Sequence, residues 1–224
     1  MIQVAIIGAG FIGPAHLEAL RRLGDVEVVA LCDSRLEAAQ RKAQALNIAH
    51  AYDSVEALLA HPGLQVVHNC TPNHLHAQIN RQILAAGLHV FSEKPLCMTA
   101  EEARKLVALA ARAGVVHGVS FVYRQFAMVQ QAAAMIRHGE VGRIFAAHGS
   151  YLQDWMLLET DYNWRVDSAQ GGASRTVADI GSHWCDTVQF MTGRRIVEVM
   201  ADLSIVWPTR KAPVNGKATF SAVH

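Results

Sequence analysis

Three observations on the 224-residue chain predict an α/β fold: a doubly wound parallel sheet, then a smaller α+β domain. Short apolar strands alternate with amphipathic helices from residue 2 to about residue 122, the grammar of a parallel sheet with helices on both faces. A glycine-rich turn, Gly8-Ala9-Gly10-Phe11-Ile12-Gly13, separates the first strand from the first helix. Beyond Tyr123 the alternation gives way to longer strand-like runs and a Trp- and Tyr-rich stretch.

The elements follow in order. Ile2–Ile7 is an apolar run of strand length, and Ala15–Leu23 repeats its apolar residues at helical spacing. Val26–Cys32 is the second strand and Arg35–Leu46 the second helix. Ala49–Tyr52 is a short extended piece, and Ser54 is placed to cap a helix over Val55–Ala60 that His61-Pro62-Gly63 stops. Leu64–Cys70 is a strand, His74–Ala86 a helix closed by Gly87, and Leu88–Ser92 a strand. Thr99 and Glu102 make a capping box for the helix Thr99–Ala113, which Gly114 ends, and Val115–Val122 is the last strand of the series. In the second half, Phe126–His138 and Val177–Met191 are predicted helices, while Arg143–Tyr151, Ile196–Val206 and Ala218–Val223 are predicted strands. The boundary between domains is set at 122/123. The last strand runs to the terminal residue without a cap or turn, so the second domain is expected to be incomplete.

The spacing G-x-G-x-x-G is weak by itself, but between a strand and a helix each glycine has a task. Gly8 makes the tight turn, Gly10 lets a pyrophosphate approach the backbone, and Gly13 lets the helix lie close on the strand; Phe11 and Ile12 complete the loop. The helix N-terminus then presents free N–H groups to the phosphates. Asp33 ends the second strand twenty residues after Gly13, where a carboxylate accepts hydrogen bonds from ribose hydroxyls and repels a 2′-phosphate. NAD is therefore the expected cofactor. Ser34 and Arg35 border that pocket, and an arginine there suits a 2′-phosphate, which keeps NADP as the second choice. The plainer role for Asp33 is to cap the helix that follows.

Composition excludes several classes. The formal net charge is +1 and no basic stripe occurs, which argues against nucleic acid. The first strand begins at Ile2, leaving no room for a signal peptide, and no apolar run has the length of a membrane span. Cys32, Cys70, Cys97 and Cys185 lack C-x-x-C spacing and read as reduced thiols, so a cytoplasmic location is expected. Twelve scattered histidines define no metal site.

Four groups of residues suit chemistry. Glu93-Lys94-Pro95 falls at a strand end; a surface turn is the ordinary reading of a Lys-Pro, but at the carboxyl edge of a nucleotide-binding sheet a lysine can stabilise a developing alkoxide. Asp179, His183 and Asp186 are spaced i, i+4 and i+7, one helical face, where an acid one turn before an imidazole suits a general base; a packed histidine is the alternative. Gly181 in the first turn of that helix suggests that something must approach closely. Thr71-Pro72-Asn73-His74 with His76 lies at another strand end and is expected to border the cofactor rather than hold a metal. Tyr123-Arg124 and Trp164-Arg165 suit a polyhydroxylated ligand, although Trp155, Tyr162 and Trp164 serve equally well as core.

G-A-G-F-I-G, T-P-N-H, E-K-P, Y-R and G-G-A-S-R-T-V-A-D-I-G-S-H-W-C-D occur in the order seen in the Gfo/Idh/MocA oxidoreductases, and over nearly its whole length the chain resembles that family of glucose–fructose oxidoreductase and inositol dehydrogenase relatives. The resemblance implies a Rossmann domain followed by an open, mostly antiparallel sheet that often mediates dimer or tetramer formation. It further implies NAD(P)-dependent hydride exchange with a sugar, cyclitol or related polyol hydroxyl. Lys94, Asp179 and His183 fall on the family's catalytic trio. In the mechanism this implies, His183 takes the hydroxyl proton, Asp179 positions His183 or a substrate hydroxyl, and Lys94 stabilises the alkoxide-like oxygen. Family members usually exceed three hundred residues, so part of the C-terminal sheet is expected to be absent from these 224 residues. Two other classes stay open: an NAD-dependent glycosidase of the same fold, and a non-catalytic NAD-binding module.

Overall fold

The computed structural model describes residues 1–214, so the strand expected over Ala218–Val223 lies outside the described residues. The chain divides into two compact units, the first ending at Ser120 and the second beginning at Phe121. The first unit contains β1 (Ile2–Ile7), α1 (Gly13–Arg21), β2 (Val26–Cys32), α2 (Leu36–Ala45), β3 (His50–Tyr52), α3 (Val55–Leu59), β4 (Val66–Asn69), α4 (Asn73–Ala85), β5 (His89–Ser92), α5 (Ala100–Ala113) and β6 (His117–Val119).

Its six strands form a parallel sheet in the order β3-β2-β1-β4-β5-β6. The order reverses between β1 and β4, and ligands of such sheets bind outside the carboxyl ends of the strands at that point. β1 and β2 are apolar and buried over 4–7 and 28–32 because both faces of the sheet are covered there. Side chains alternate: Val4 and Ile6 of β1 pack with Leu17 and Leu20 of α1 and Ala43 of α2, while Ala5 and Ile7 pack with Leu58, Ile79, Ile83, Leu106 and Ala110 from α3, α4 and α5.

The helix ends follow local chemistry. Ser54 Oγ accepts the Ala57 amide at 3.1 Å, and Thr99 Oγ1 accepts the Glu102 amide at 3.2 Å and donates to Glu102 Oε2, the expected capping box. Gly114 ends α5 with φ +66°. By contrast α2 begins after Arg35 with no side-chain cap, so Asp33 is not its capping residue.

The second unit carries a 3-10 turn (Val122–Gln125), α6 (Ala127–Arg137), a 3-10 turn (Trp164–Val166), α7 (Ser168–Gly171), a π-helical turn (Val177–Gly181) and α8 (Ser182–Thr192). Among the described residues neither Arg143–Tyr151 nor Ile196–Val206 forms a strand. An extended run becomes a strand only when a neighbour takes its backbone N–H and C=O groups, and here no ladder partner is present among those residues. The apolar side chains of the two runs stand in the open, Phe145 84% and Val199 83% exposed. No helix among the described residues is long and apolar enough to cross a membrane.

Candidate active site

In the first unit the strand register sets four loop tips level. Ile7 lies beside Cys32 on one side and Asn69 on the other, and Asn69 lies beside Ser92. The ladder continues one step past the strands: Gly8 N–H donates to Cys32 O (2.9 Å), Cys70 N–H to Ile7 O (2.7 Å) and Glu93 N–H to Asn69 O (2.8 Å). The turn Gly8–Gly13, Asp33, Thr71-Pro72-Asn73 and Glu93-Lys94-Pro95 thus share one edge of the sheet.

The glycines divide their tasks as their spacing implies. Gly8 has φ +99°, and a Cβ there would stand 2.6 Å from Cys70 O. A Cβ on Gly13 would stand 2.4 Å from Gly8 O, so the turn closes on itself only with glycine at both places. Around Gly10 nothing lies within 4 Å of a built Cβ, the open backbone approach a pyrophosphate needs. Phe11 is exposed and Ile12 half-buried beside it. Asp33 Oδ2 accepts the Ala9 amide (3.3 Å) and Oδ1 the Ser34 amide (2.7 Å), tying the acid to the glycine turn; Ser34 and Arg35 are exposed. These features fit a dinucleotide, with Asp33 at the place of a ribose acceptor.

Beneath the edge runs a buried polar network that sequence reading missed. Asn69 Nδ2 donates to Asn80 Oδ1 (2.8 Å), Asn80 Nδ2 to Ser92 Oγ (2.9 Å), and Thr71 Oγ1 to Asn69 Oδ1 (2.7 Å). It ties the ends of β4 and β5 to α4. His76 sets its two ring nitrogens against Pro95 O (2.6 Å) and Thr71 O (2.7 Å), bridging both loop tips, while burial pulls its pKa down against those two contacts. Asn73 is buried at the start of α4.

A second chain runs His68–His16–Glu93. His16 Nε2 stands 3.0 Å from Glu93 Oε1 and its Nδ1 2.9 Å from His68 Nδ1. The pairing assigns protons when both rings are neutral: His16 Nε2–H donates to the carboxylate, and His68 Nδ1–H donates to His16. Burial and neighbouring His16 pull His68 down to about 4, with Glu93 opposing. Burial alone would raise Glu93, but hydrogen bonds from His16, Ser120 and the Lys94 amide outweigh it and hold the carboxyl below its ordinary value. Lys94 is half-buried next to that carboxylate. Neither His16 nor His68 shows any spacing signal in the sequence; His68 comes from β4, in register with β5, and His16 from the first turns of α1.

In the second unit, the predicted helix over Val177–Met191 is broken at its start by the π-helical turn Val177–Gly181, a feature often found at functional sites. Asp179 sits on that turn and His183 on α8 after it, so the single α-helical face expected for 179, 183 and 186 is interrupted. A Cβ on Gly181 would meet only Val177 side-chain atoms at 3.5 Å, an ordinary contact; the expected close approach is absent from the protein itself. His183 is buried, stacked on Tyr123 (centroids 4.4 Å, 25°) with Phe121 edge-on at 5.8 Å. The Tyr123 and Tyr151 hydroxyls are hydrogen-bonded, and burial, then Tyr123, push the Tyr151 pKa up. Asp179 Oδ1 pairs with Arg165 Nε at 3.2 Å, and Arg165 lies over the Trp164 ring at 4.4 Å. Arg124 makes a two-pronged ion pair with Asp186, Nε to Oδ2 at 2.7 Å, which fastens the first 3-10 turn to α8. That bond supports the structural role expected for Asp186 and engages the guanidinium expected to grip a ligand.

All four cysteines are free thiols. Among the described residues no group of His, Cys, Asp or Glu is placed to hold a metal ion.

A 3-2-1-4-5-6 parallel sheet with this glycine turn defines an NAD-binding Rossmann domain. The oxidoreductase family model described as "NAD-binding Rossmann fold" matches residues 2–121, and the "GFO/IDH/MocA C-terminal domain" matches residues 129–223. The chain belongs to the Gfo/Idh/MocA oxidoreductase family. It is 31% identical to the levoglucosan dehydrogenase of Pseudarthrobacter phenanthrenivorans over 99% of this chain and 59% of that protein. It is 33% identical to the D-glucoside 3-dehydrogenase of Escherichia coli over 86% of this chain and 54% of that one. Among solved structures, levoglucosan dehydrogenase in complex with NADH and L-sorbose superposes with a TM-score of 0.82 at 30% identity, over 86% of this chain and 53% of that one. The chain therefore spans between half and three fifths of the length of these relatives.

Proposed function

We propose that the protein is an NAD-dependent dehydrogenase that oxidises a CH–OH group of a sugar, cyclitol or related polyol. The observation that carries the reading is the sheet edge itself: an open Gly10 backbone, an acid at Asp33 and a lysine at Lys94, level at the carboxyl ends of adjoining strands. The sugar dehydrogenases among the relatives support the substrate class.

The first unit holds the cofactor. Gly8, Gly10, Phe11, Ile12 and Gly13 cradle the pyrophosphate, Asp33 with Ser34 and Arg35 takes the adenosine ribose, and Thr71, Pro72, Asn73, His76, Glu93, Lys94 and Pro95 border the nicotinamide half. Asp33 favours NAD over NADP. When bound, the nicotinamide supplies the redox chemistry. The Lys94 ammonium stabilises negative charge on the reacting oxygen. His183 accepts the hydroxyl proton, its ring plane set by stacking on Tyr123, and Asp179 orients either His183 or a substrate hydroxyl. Tyr123, Trp164 and Arg165 grip the polyol, and Arg124, expected to join them, is held by Asp186. Residues 123–224 serve substrate binding and assembly into a homo-dimer or homo-tetramer, and the cytoplasm is the site of action.

The test is NAD titration followed by a polyol panel read by NADH absorbance. Stoichiometric NADH from one polyol supports the dehydrogenase. Product formed without net NADH would instead mean a glycosidase, and NAD binding with no turnover on any polyol a binding module.

A further inference from the structure

The second unit brings three arginines near one another. Arg165 and Arg175 both approach the Trp155 ring, at 6.0 and 5.1 Å from its centroid. Arg210 stands close enough to act on Arg175 and is anchored by donating to the carbonyls of Met156 (2.9 Å), Leu158 (2.7 Å) and Asp161 (3.0 Å). Asp179 is the carboxylate that acts on Arg175, and it already pairs with Arg165 at 3.2 Å. Arg165 and Arg175 thus share one carboxylate, with Arg210 adding a third positive charge near Arg175.

Arg175 is the informative member. Its Nη1 donates to Thr176 Oγ1 at 3.1 Å, but Nε and Nη2 are buried with no hydrogen-bond partner among the described residues. Nε and Nη2 form the edge of the guanidinium that takes a carboxylate or phosphate side-on through two parallel bonds. Charged donors left buried without acceptors lose the hydrogen bonds they would make to water. Burial, with Arg210 and Arg165, pulls the Arg175 pKa below its ordinary value against Asp179, the direction an added anion would reverse.

We propose that Arg175, flanked by Arg165 over the Trp155 ring, is an oxyanion subsite, and that the polyol substrate carries a phosphate or carboxylate group held there. This rests on the dehydrogenase reading for the identity of the substrate, and on the arginine geometry alone for the anion. A hydroxyl of a neutral polyol can accept from this edge but brings no charge to it; a sugar phosphate or sugar acid meets Nε and Nη2 with two parallel, charge-assisted bonds. The two chemistries share the same two-bond contact.

The test is calorimetric binding of D-glucose, D-glucose 6-phosphate, D-glucuronate and inorganic phosphate to the NAD-loaded chain, repeated with Arg175→Gln and Arg175→Lys. The expected result is that glucose 6-phosphate or glucuronate binds at least about tenfold tighter than glucose, that Arg175→Gln removes this margin, and that Arg175→Lys keeps part of it. Whichever anion shows the margin identifies the group. Inorganic phosphate should compete with the anionic sugar. Equal or tighter binding of glucose in the unmodified protein overturns the proposal without reference to any variant. So does a margin that survives Arg175→Gln, phosphate that binds without competing, or a variant that weakens NAD as much as the anion. If none of the sugars yields NADH while the margin persists, the dehydrogenase reading fails and the subsite stands.

Discussion

The imidazole of His183 lies nearly parallel to the phenol of Tyr123, ring centroids 4.4 Å apart, and the same phenol is hydrogen-bonded to Tyr151. A buried imidazole held this way has its ring plane fixed before substrate arrives, which is what a general base requires. His183→Ala should lower turnover by roughly 10²–10⁴ while changing NAD affinity less than about threefold, since the cofactor loop belongs to the other unit. Tyr123→Leu should lower turnover by a smaller factor, because it frees the ring without deleting it. Steady-state kinetics with NAD titration reads both, and near-normal turnover in His183→Ala would refute the assignment. Lys94→Ala should behave like His183→Ala.

Gly13 and Gly8 act as one device, since a Cβ on the first would stand 2.4 Å from the carbonyl of the second. Gly13→Ala forces the turn open, and Gly8→Ala adds a methyl at φ +99° against Cys70 O. Each should destabilise the fold by roughly 1–3 kcal/mol and weaken NAD binding. Gly10→Ala should differ: the space around it is open, so stability should hold within about 0.5 kcal/mol while NAD affinity drops. Denaturant unfolding beside NAD titration separates the two classes.

How far the sequence could be read follows from where the information lies. The order of strands and helices to residue 120, the glycine turn and the placing of Asp33 and Lys94 just after strands are written locally, in apolar periodicity, turn residues and caps. The His68–His16–Glu93 chain was not legible, because its members lie 52 and 77 residues apart and meet only through the packing of α1 against the sheet and the pairing of β4 with β5. Arg175 was illegible for the same reason, its surroundings coming from residues 155, 165 and 210. The runs 143–151 and 196–206 misled in the opposite direction. Their β-branched and aromatic content reads as strand, but a strand also needs a hydrogen-bonding neighbour, which no local pattern supplies.

Asp33 is held by the Ala9 and Ser34 amides rather than by α2, so its carboxylate can be removed without uncapping a helix. Asp33→Ser should weaken NAD by about tenfold, the loss of one or two hydrogen bonds to a charged acceptor. The same change should tighten NADP, with Arg35 nearby to meet a 2′-phosphate. Parallel NAD and NADP titrations check this; a variant with an unchanged ratio of the two affinities would remove Asp33 from the ribose site.

Acid should destabilise the first unit through His68 before it does so through the carboxylates. Burial, then His16, depress its pKa from 6.5 to about 4 in the folded protein. Between those values the unfolded chain binds a proton that the folded one does not, so the stability contributed by neutral His68 is complete above about pH 6.5. It falls as the pH drops toward 4. The fall from 6.5 to about 4 corresponds to about 3 kcal/mol. His76, lowered by burial, adds a loss of the same sign. Glu93, held below its ordinary 4.5, contributes stability that is present above that value and is lost as pH falls through its own folded pKa. Unfolding free energy measured from pH 8 to pH 4 should therefore decline from about pH 6.5 downward. His68→Phe, whose ring can pack against Phe91, should flatten part of that slope. A wild-type curve level between pH 6.5 and 4.5 would mean that His68 takes up its proton in the folded state, and the proton assignment along His68–His16–Glu93 would have to be redrawn.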